Sequence, residues 1–180
     1  MTYRPLPGEK TADALIQEVI RVDHAGEYGA QRIYAGQLAV LRNHPSAPTI
    51  QHMADQETAH LERFEALMQQ RNVRPTVLMP LWHVLGYAMG AGTALMGERA
   101  AMACTVAVEQ VIAEHYGEQE TQLPPEEADL KATISQFRAE EMEHHDIGLQ
   151  HGAEHTPFYD VLSAAISGAT RTAIWLSKRF

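Results

Sequence analysis

Glu57-Thr-Ala-His60 and Glu141-Met-Glu-His144 are two copies of one phrase, Glu-x-x-His, and their reading decides the fold. Each copy has a lone glutamate upstream at nearly the same distance: Glu27 thirty residues before Glu57, and Glu109 thirty-two before Glu141. On a helix, three residues turn about 300° and rise about 4.5 Å, so a carboxylate and an imidazole at this spacing leave the same face one turn apart. Such a pair can bind one metal ion while its carboxylate bridges to a second. Two pairs with two further carboxylates make the ligand set of a dinuclear metal centre inside a four-helix bundle.

The turns fall where that reading needs them. In an antiparallel helical hairpin, residues equidistant from the turn stand level with each other. Residue 42 is the midpoint of Glu27 and Glu57, and the helix stop Asn43-His-Pro45-Ser lies directly beside it. Residue 125 is the midpoint of Glu109 and Glu141, within Leu123-Pro124-Pro125. Apolar spacing predicts helices over about Thr11–Arg42, Ala47–Gln70, Glu98–Thr121 and Glu126–Gln150. Chance alone places roughly one Glu-x-x-His in a chain this rich in both residues. The competing reading is charge on solvated helix faces, and the joint spacing argues against it.

Between the hairpins runs Pro75–Gly97, which contains no Asp, Glu, Lys or Arg. Pro80 interrupts it and leaves the sixteen residues Leu81–Met96, short of the roughly 20 needed to span a bilayer. Gly86, Gly90, Gly92 and His83 dilute it further, so the expectation is an apolar crossover that traverses the bundle. A last amphipathic helix is predicted over about Pro157–Lys178, its stripe formed by Val161, Leu162, Ala165, Ile166, Ala169, Ala173 and Leu176. Beyond Asp160 this helix carries no acid, only Arg171, Lys178 and Arg179, with Trp175 among them. That composition suits a membrane surface and equally an ordinary bundle-covering helix. The fold class expected is all-α: a single domain over residues 1–180, a four-helix bundle with a long apolar crossover and an extra C-terminal amphipathic helix.

Composition narrows the function. At 180 residues and 45% apolar, the chain is long enough to bury one sizeable core. A net charge of −9 argues against a nucleic-acid surface, and two divalent ions at the four glutamates would offset four of those charges. The single cysteine, Cys104, rules out an intrachain disulfide and any multi-thiolate site. Met1–Lys10 shows no apolar core of a secretory leader. Ten histidines are many for this length and point toward metal chemistry.

Carboxylates and imidazoles without sulfur favour iron or manganese over structural zinc. Six protein ligands for two ions leave open positions for reactants. Asp23 and Asp146 are candidates to hydrogen-bond the ligating histidines from outside, while His24, His145 and His151 read as structural or surface groups. Tyr34 and Tyr116 each follow the lone glutamate of their helix by seven residues, on the same face. Ala30, Ala113, Gly26 and Gly29 are small residues near the glutamates, where dioxygen and part of a substrate would need room.

Longer strings resemble one known family. Arg21-Val-Asp-His-Ala-Gly-Glu27-Tyr-Gly-Ala, Gln31-Arg-Ile-Tyr34-Ala-Gly-Gln, Arg74-Pro-Thr-Val-Leu-Met-Pro-Leu-Trp82, Ala101-Met-Ala-Cys-Thr-Val-Ala-Val-Glu109 and Glu143-His-His-Asp-Ile-Gly-Leu149 are similar to the demethoxyubiquinone hydroxylases of ubiquinone biosynthesis. The resemblance runs from about Val19 to Arg179, with no departure at a ligand position. It implies a ferritin-like di-iron mono-oxygenase that hydroxylates the ring of 3-demethoxyubiquinol with dioxygen. Glu27, Glu57 and His60 would chiefly hold one of two irons, and Glu109, Glu141 and His144 the other, with Glu57 and Glu141 as bridges. By the same resemblance His115 and Tyr116 serve catalysis, positioning substrate or passing electrons and protons. An external electron donor such as NADH is expected.

The implied partners are a polyprenyl quinol and a membrane surface, with no nucleic acid. The protein would be peripheral, on the cytoplasmic face of a bacterial membrane or the inner mitochondrial membrane of a eukaryote. A lipid-presenting partner protein and a homo-oligomer stay open. Two alternatives keep the site but change the work: an iron-oxidising storage shell, and a hydroxylase acting on tRNA.

Overall fold

The computed structural model describes residues 10–180, so Met1–Lys10, where no secretory leader is expected, lies outside it but for Lys10. Six helices follow in order: α1 (Ala12–Leu41), α2 (Ala47–Arg71), α3 (Met79–Leu95), α4 (Glu98–Gln122), α5 (Ala128–Gln150) and α6 (Tyr159–Ser177). No strand occurs among the described residues, and the all-α expectation holds.

Local chemistry sets the helix ends. Thr11 caps α1, its hydroxyl accepting from the Ala14 N–H at 3.1 Å. Pro48 stands in the first turn of α2, where a missing N–H costs nothing. Asn72 ends α2 in the left-handed region at φ 53°. Gly97, at φ 113°, allows the short link from α3 to α4. A single 3-10 turn, Pro125–Glu127, leads into α5 two residues later than expected.

α1 with α2 and α4 with α5 form two antiparallel hairpins, and together they make the bundle. Two apolar cores fill it. One contains Ile20, Phe64, Ile112 and Ile134, the other Leu41, Ile50, Met53 and Met102. On α2 and α5 the glutamates fall between the two cores, Glu57 between Met53 and Phe64 and Glu141 between Phe137 and Ile147.

α3 lies along α1, and glycines set how closely. A Cβ on Gly90 would collide with the Ile33 carbonyl, one on Gly36 with the Tyr87 carbonyl, and one on Gly86 would stand 2.8 Å from the Gly29 carbonyl. Gly86 and Gly90 are therefore contact residues, where the sequence had suggested only dilution of an apolar run. Pro80 occupies the first turn of α3 and opens the helix instead of breaking it.

α6 packs chiefly on α4. Its inward face is Leu162, Ile166, Ala173 and Ser177, while Val161, at the head of the predicted stripe, is 69% exposed. The stripe was too wide: one helical position is a rotation of about 100°, enough to turn Val161 outward. Trp82 Nε1 donates to Ser177 Oγ at 3.1 Å, and Thr76 Oγ1 to the Phe180 carbonyl at 2.7 Å, tying α6 to the start of α3. Every large apolar side chain that is exposed among the described residues lies on α3, on α6 or in the segments flanking them. No described helix is long and apolar enough to cross a membrane, in line with the short crossover.

Candidate metal centre

All six residues of the two Glu-x-x-His sets converge. Glu27, Glu57, His60 and Glu141 bring ligand atoms within 4.8 Å of one another, and Glu57, Glu109, Glu141 and His144 do the same. Glu57 and Glu141 belong to both groups. His60 Nδ1 is 3.3 Å from Glu27 Oε2 and 3.2 Å from Glu141 Oε1, while His144 Nδ1 is 3.2 Å from Glu57 Oε1 and 3.4 Å from Glu141 Oε2. None of the six is more than 1% exposed.

The hydrogen bonds sort the glutamates into two kinds. Tyr34, on α1, donates its hydroxyl to Glu109 Oε1 on α4 at 2.7 Å, and Tyr116, on α4, donates to Glu27 Oε1 on α1. Glu27 and Glu109 thus each keep one oxygen without a partner, whereas Glu57 and Glu141 keep both. His60 Nδ1 and His144 Nδ1 are likewise unpartnered. A buried polar atom without a partner is costly. Here eight such atoms face one another, and two dications among them would satisfy all eight.

The imidazoles are held from behind. His60 Nε2 meets Glu140 Oε2 at 2.5 Å, and His144 Nε2 meets Gln56 Oε1 at 3.1 Å. Both partners are acceptors, so each ring donates from Nε2, and a metal taking the place of any proton on Nδ1 would meet that nitrogen's lone pair. Neither predicted partner takes this part. Asp23 Oδ1 accepts from Gln119 Nε2 at 2.7 Å, and Asp146, its side chain 62% exposed, pairs with its neighbour His145. Gln56 and Glu140 each stand immediately before the glutamate of a Glu-x-x-His, so the signal present in the sequence was a repeat one residue longer.

Without metal the cluster holds protons. Burial, then the neighbouring carboxylates, raises Glu57 and Glu109 well above the usual range. Burial works against the charge on His60, but the Glu141 and Glu27 carboxylates, 3.2 and 3.3 Å from its Nδ1, outweigh it and raise the imidazole to about 11. Burial would raise Glu141 too, yet His144 and His60 hold it down at about 2. Burial first, then the adjacent glutamates, raises both tyrosines, which stay protonated as donors.

The two residues expected to serve catalysis part company. Tyr116 reaches the cluster through Glu27. His115 does not: its Nε2 lies 3.0 Å from Gln119 Nε2 and 3.8 Å from Asp23 Oδ1, beside a small surface cleft lined by Glu18, Glu118 and Lys178. Of the small residues singled out, Gly26, Gly29 and Ala30 line an apolar cavity of about 130 Å³ between α1, α3, α4 and α6. Val108 and Ile112, which flank Glu109, form its opposite wall, while Ala113 is not part of the lining. The cavity therefore borders the helical turns that carry Glu27 and Glu109.

The family described as ubiquinone biosynthesis protein COQ7 matches residues 14–177. The chain belongs to that family. It is similar to the NADPH-dependent 3-demethoxyubiquinone 3-hydroxylase, mitochondrial, of Rattus norvegicus: 56% identical over 171 residues, 93% of this chain and 79% of the relative. With the 3-demethoxyubiquinol 3-hydroxylase of Rhodospirillum rubrum it shares 53% over 175 residues, 97% of this chain and 82% of the relative. A more distant member is the 5-demethoxyubiquinone hydroxylase, mitochondrial, of Saccharomyces cerevisiae, 44% identical over 183 residues, 92% of this chain and 78% of the relative. The COQ7 match thus takes in all six convergent residues.

Proposed function

We propose that the protein is an oxygen-dependent di-iron mono-oxygenase that hydroxylates the ring of 3-demethoxyubiquinol in ubiquinone biosynthesis. One observation carries the metal assignment: the unpartnered atoms number two on Glu57, two on Glu141, and one each on Glu27, Glu109, His60 and His144. Glu57 and Glu141, common to both groups, could each serve two ions, while Glu27 with His60 and Glu109 with His144 would each serve one. The donor set contains no sulfur and suits iron; the relatives named as demethoxyubiquinone hydroxylases support the substrate.

When bound, a ferrous pair supplies two electrons to dioxygen, one oxygen atom going to the ring and the other to water. The chain does the rest. Tyr34 and Tyr116 each hold one oxygen of Glu109 and Glu27, so each of these carboxylates would offer its other oxygen to a metal. Glu140 and Gln56 fix the histidine tautomers. The apolar lining excludes water and accepts a quinol ring. Two electrons and two protons must be returned in each cycle. The NADPH dependence named for the Rattus norvegicus relative supports a nicotinamide donor.

The outer face of α3 and α6 supports a peripheral site at a membrane. Val84 is 61% exposed and Trp175 51% exposed, with Arg179 stacked on the Trp175 ring at 3.8 Å. A polyprenyl tail then stays in lipid while the head group enters between the same helices. Mitochondrial location in the names of eukaryotic relatives is compatible with such a surface.

The test is metal analysis coupled to turnover. Purified protein should carry close to two irons per chain and hydroxylate 3-demethoxyubiquinol in oxygenated buffer with a reductant. Glu109→Ala should lose iron and turnover while staying folded. Full activity in demonstrably metal-free protein would sink the proposal.

A further inference from the structure

Glycine favours the helix less than any residue but proline, so a glycine inside a long helix calls for a reason. α1 contains three: Gly26, Gly29 and Gly36. Gly36 has its reason in the Tyr87 carbonyl of α3, which leaves no room for a Cβ. Gly26 and Gly29 have none within the protein, since a Cβ on either would meet no atom within 4 Å. They stand one turn apart on either side of Glu27, and both line the apolar cavity. α1 runs unbroken through both, so neither marks a kink.

We infer that Gly26 and Gly29 are positioning residues for the quinol ring, the bare α1 backbone being the surface on which the planar head group lies beside the turns that carry Glu27 and Glu109. Absence of Cβ lets a flat ring approach a helix backbone closely. Trp82 and Ile112 close the other sides of the cavity, so a methyl added at either glycine has only the ligand's space to occupy. The assignment rests on the hydroxylase reading and names what holds its substrate.

Gly26→Ala, Gly29→Ala and Gly168→Ala in the full chain test it. Gly168 is an exposed glycine of α6 whose Cβ also meets open space, and it does not line the cavity. All three substitutions should raise Tm by about 2–4 °C and leave iron content unchanged. The two α1 variants should lose about tenfold or more in kcat/KM for 3-demethoxyubiquinol, and a quinol without the ring methyl should recover part of that loss. Gly168→Ala should behave as wild type toward both quinols.

Unchanged kcat/KM in both α1 variants overturns the inference. So does a loss equal for the two quinols, which would report a stiffened helix, or a fall in Tm, which would mean the methyl had met protein. An iron-loaded wild-type protein that turns over neither quinol instead defeats the hydroxylase reading itself.

Discussion

The Tyr34 hydroxyl on α1 donates to Glu109 Oε1 on α4 at 2.7 Å, and the reciprocal bond runs from Tyr116 on α4 to Glu27 on α1. Each hairpin therefore shapes the terminal carboxylate of the other. Tyr34→Phe or Tyr116→Phe leaves a buried carboxylate oxygen without a donor, at a cost of about 1–3 kcal/mol. Thermal unfolding of the metal-free variants should show that loss, with iron binding retained.

Much of this centre was legible because spacing along a hairpin is a metric. Glu27 and Glu57, and likewise Glu109 and Glu141, are level once the turns are known, and both turns carry prolines. What stayed hidden lies between hairpins. The shared face of Tyr34 and Glu27 could be read from their seven-residue separation, but not that Tyr34 would serve Glu109. Glu140 and Gln56 escaped for the same reason, since each supports a histidine on the opposite hairpin. Gly90 was read as a weak spot in an apolar run, because a backbone contact with Ile33 leaves no mark in the composition.

Glu140→Ala should weaken iron binding about 10–100-fold, the usual consequence of freeing a ligating histidine. Glu140→Gln should recover part of it, since an amide oxygen still accepts from Nε2, as Gln56 does for His144. Competition with a chelator of known affinity measures both.

Loading should depend on pH with a defined sign. Burial and neighbouring carboxylates raise Glu57 and Glu109, and His60 stands near 11 in the metal-free cluster. Protons therefore occupy the ligand atoms at neutral pH and must leave as metal enters. Ferrous affinity should rise from about pH 6 to about pH 8, with acid released into a weakly buffered solution that a pH indicator can follow.

His115 gives a separate acid response. Burial, aided by Lys178, lowers its pKa from 6.5 to about 4. The unfolded chain then takes up this proton at a higher pH than the folded one. The linked stability is present above about 6.5 and is lost as pH falls through about 4, reaching roughly 3 kcal/mol. His115→Gln should remove that part of the acid sensitivity in chemical denaturation between these pH values.

Val84→Glu on α3 and Trp175→Glu on α6 replace exposed apolar side chains by charge. Each should weaken binding to anionic vesicles by about tenfold or more in flotation, without lowering iron content or Tm.

The glycines of α3 bear on how the cavity is entered. With Gly36, Gly86 and Gly90 bringing α3 against α1 backbone to backbone, those two helices form one plank with no slack for sliding. α6 is fastened differently, by side chains: Trp82 and Thr76 bind at its C-terminal end, Ser167 Oγ donates to the Ala107 carbonyl at 3.3 Å, and Arg171 reaches Glu114 at 2.9 Å. Widening the cavity past α3 would require two helix backbones to part, whereas widening it past α6 would require only side-chain contacts to yield.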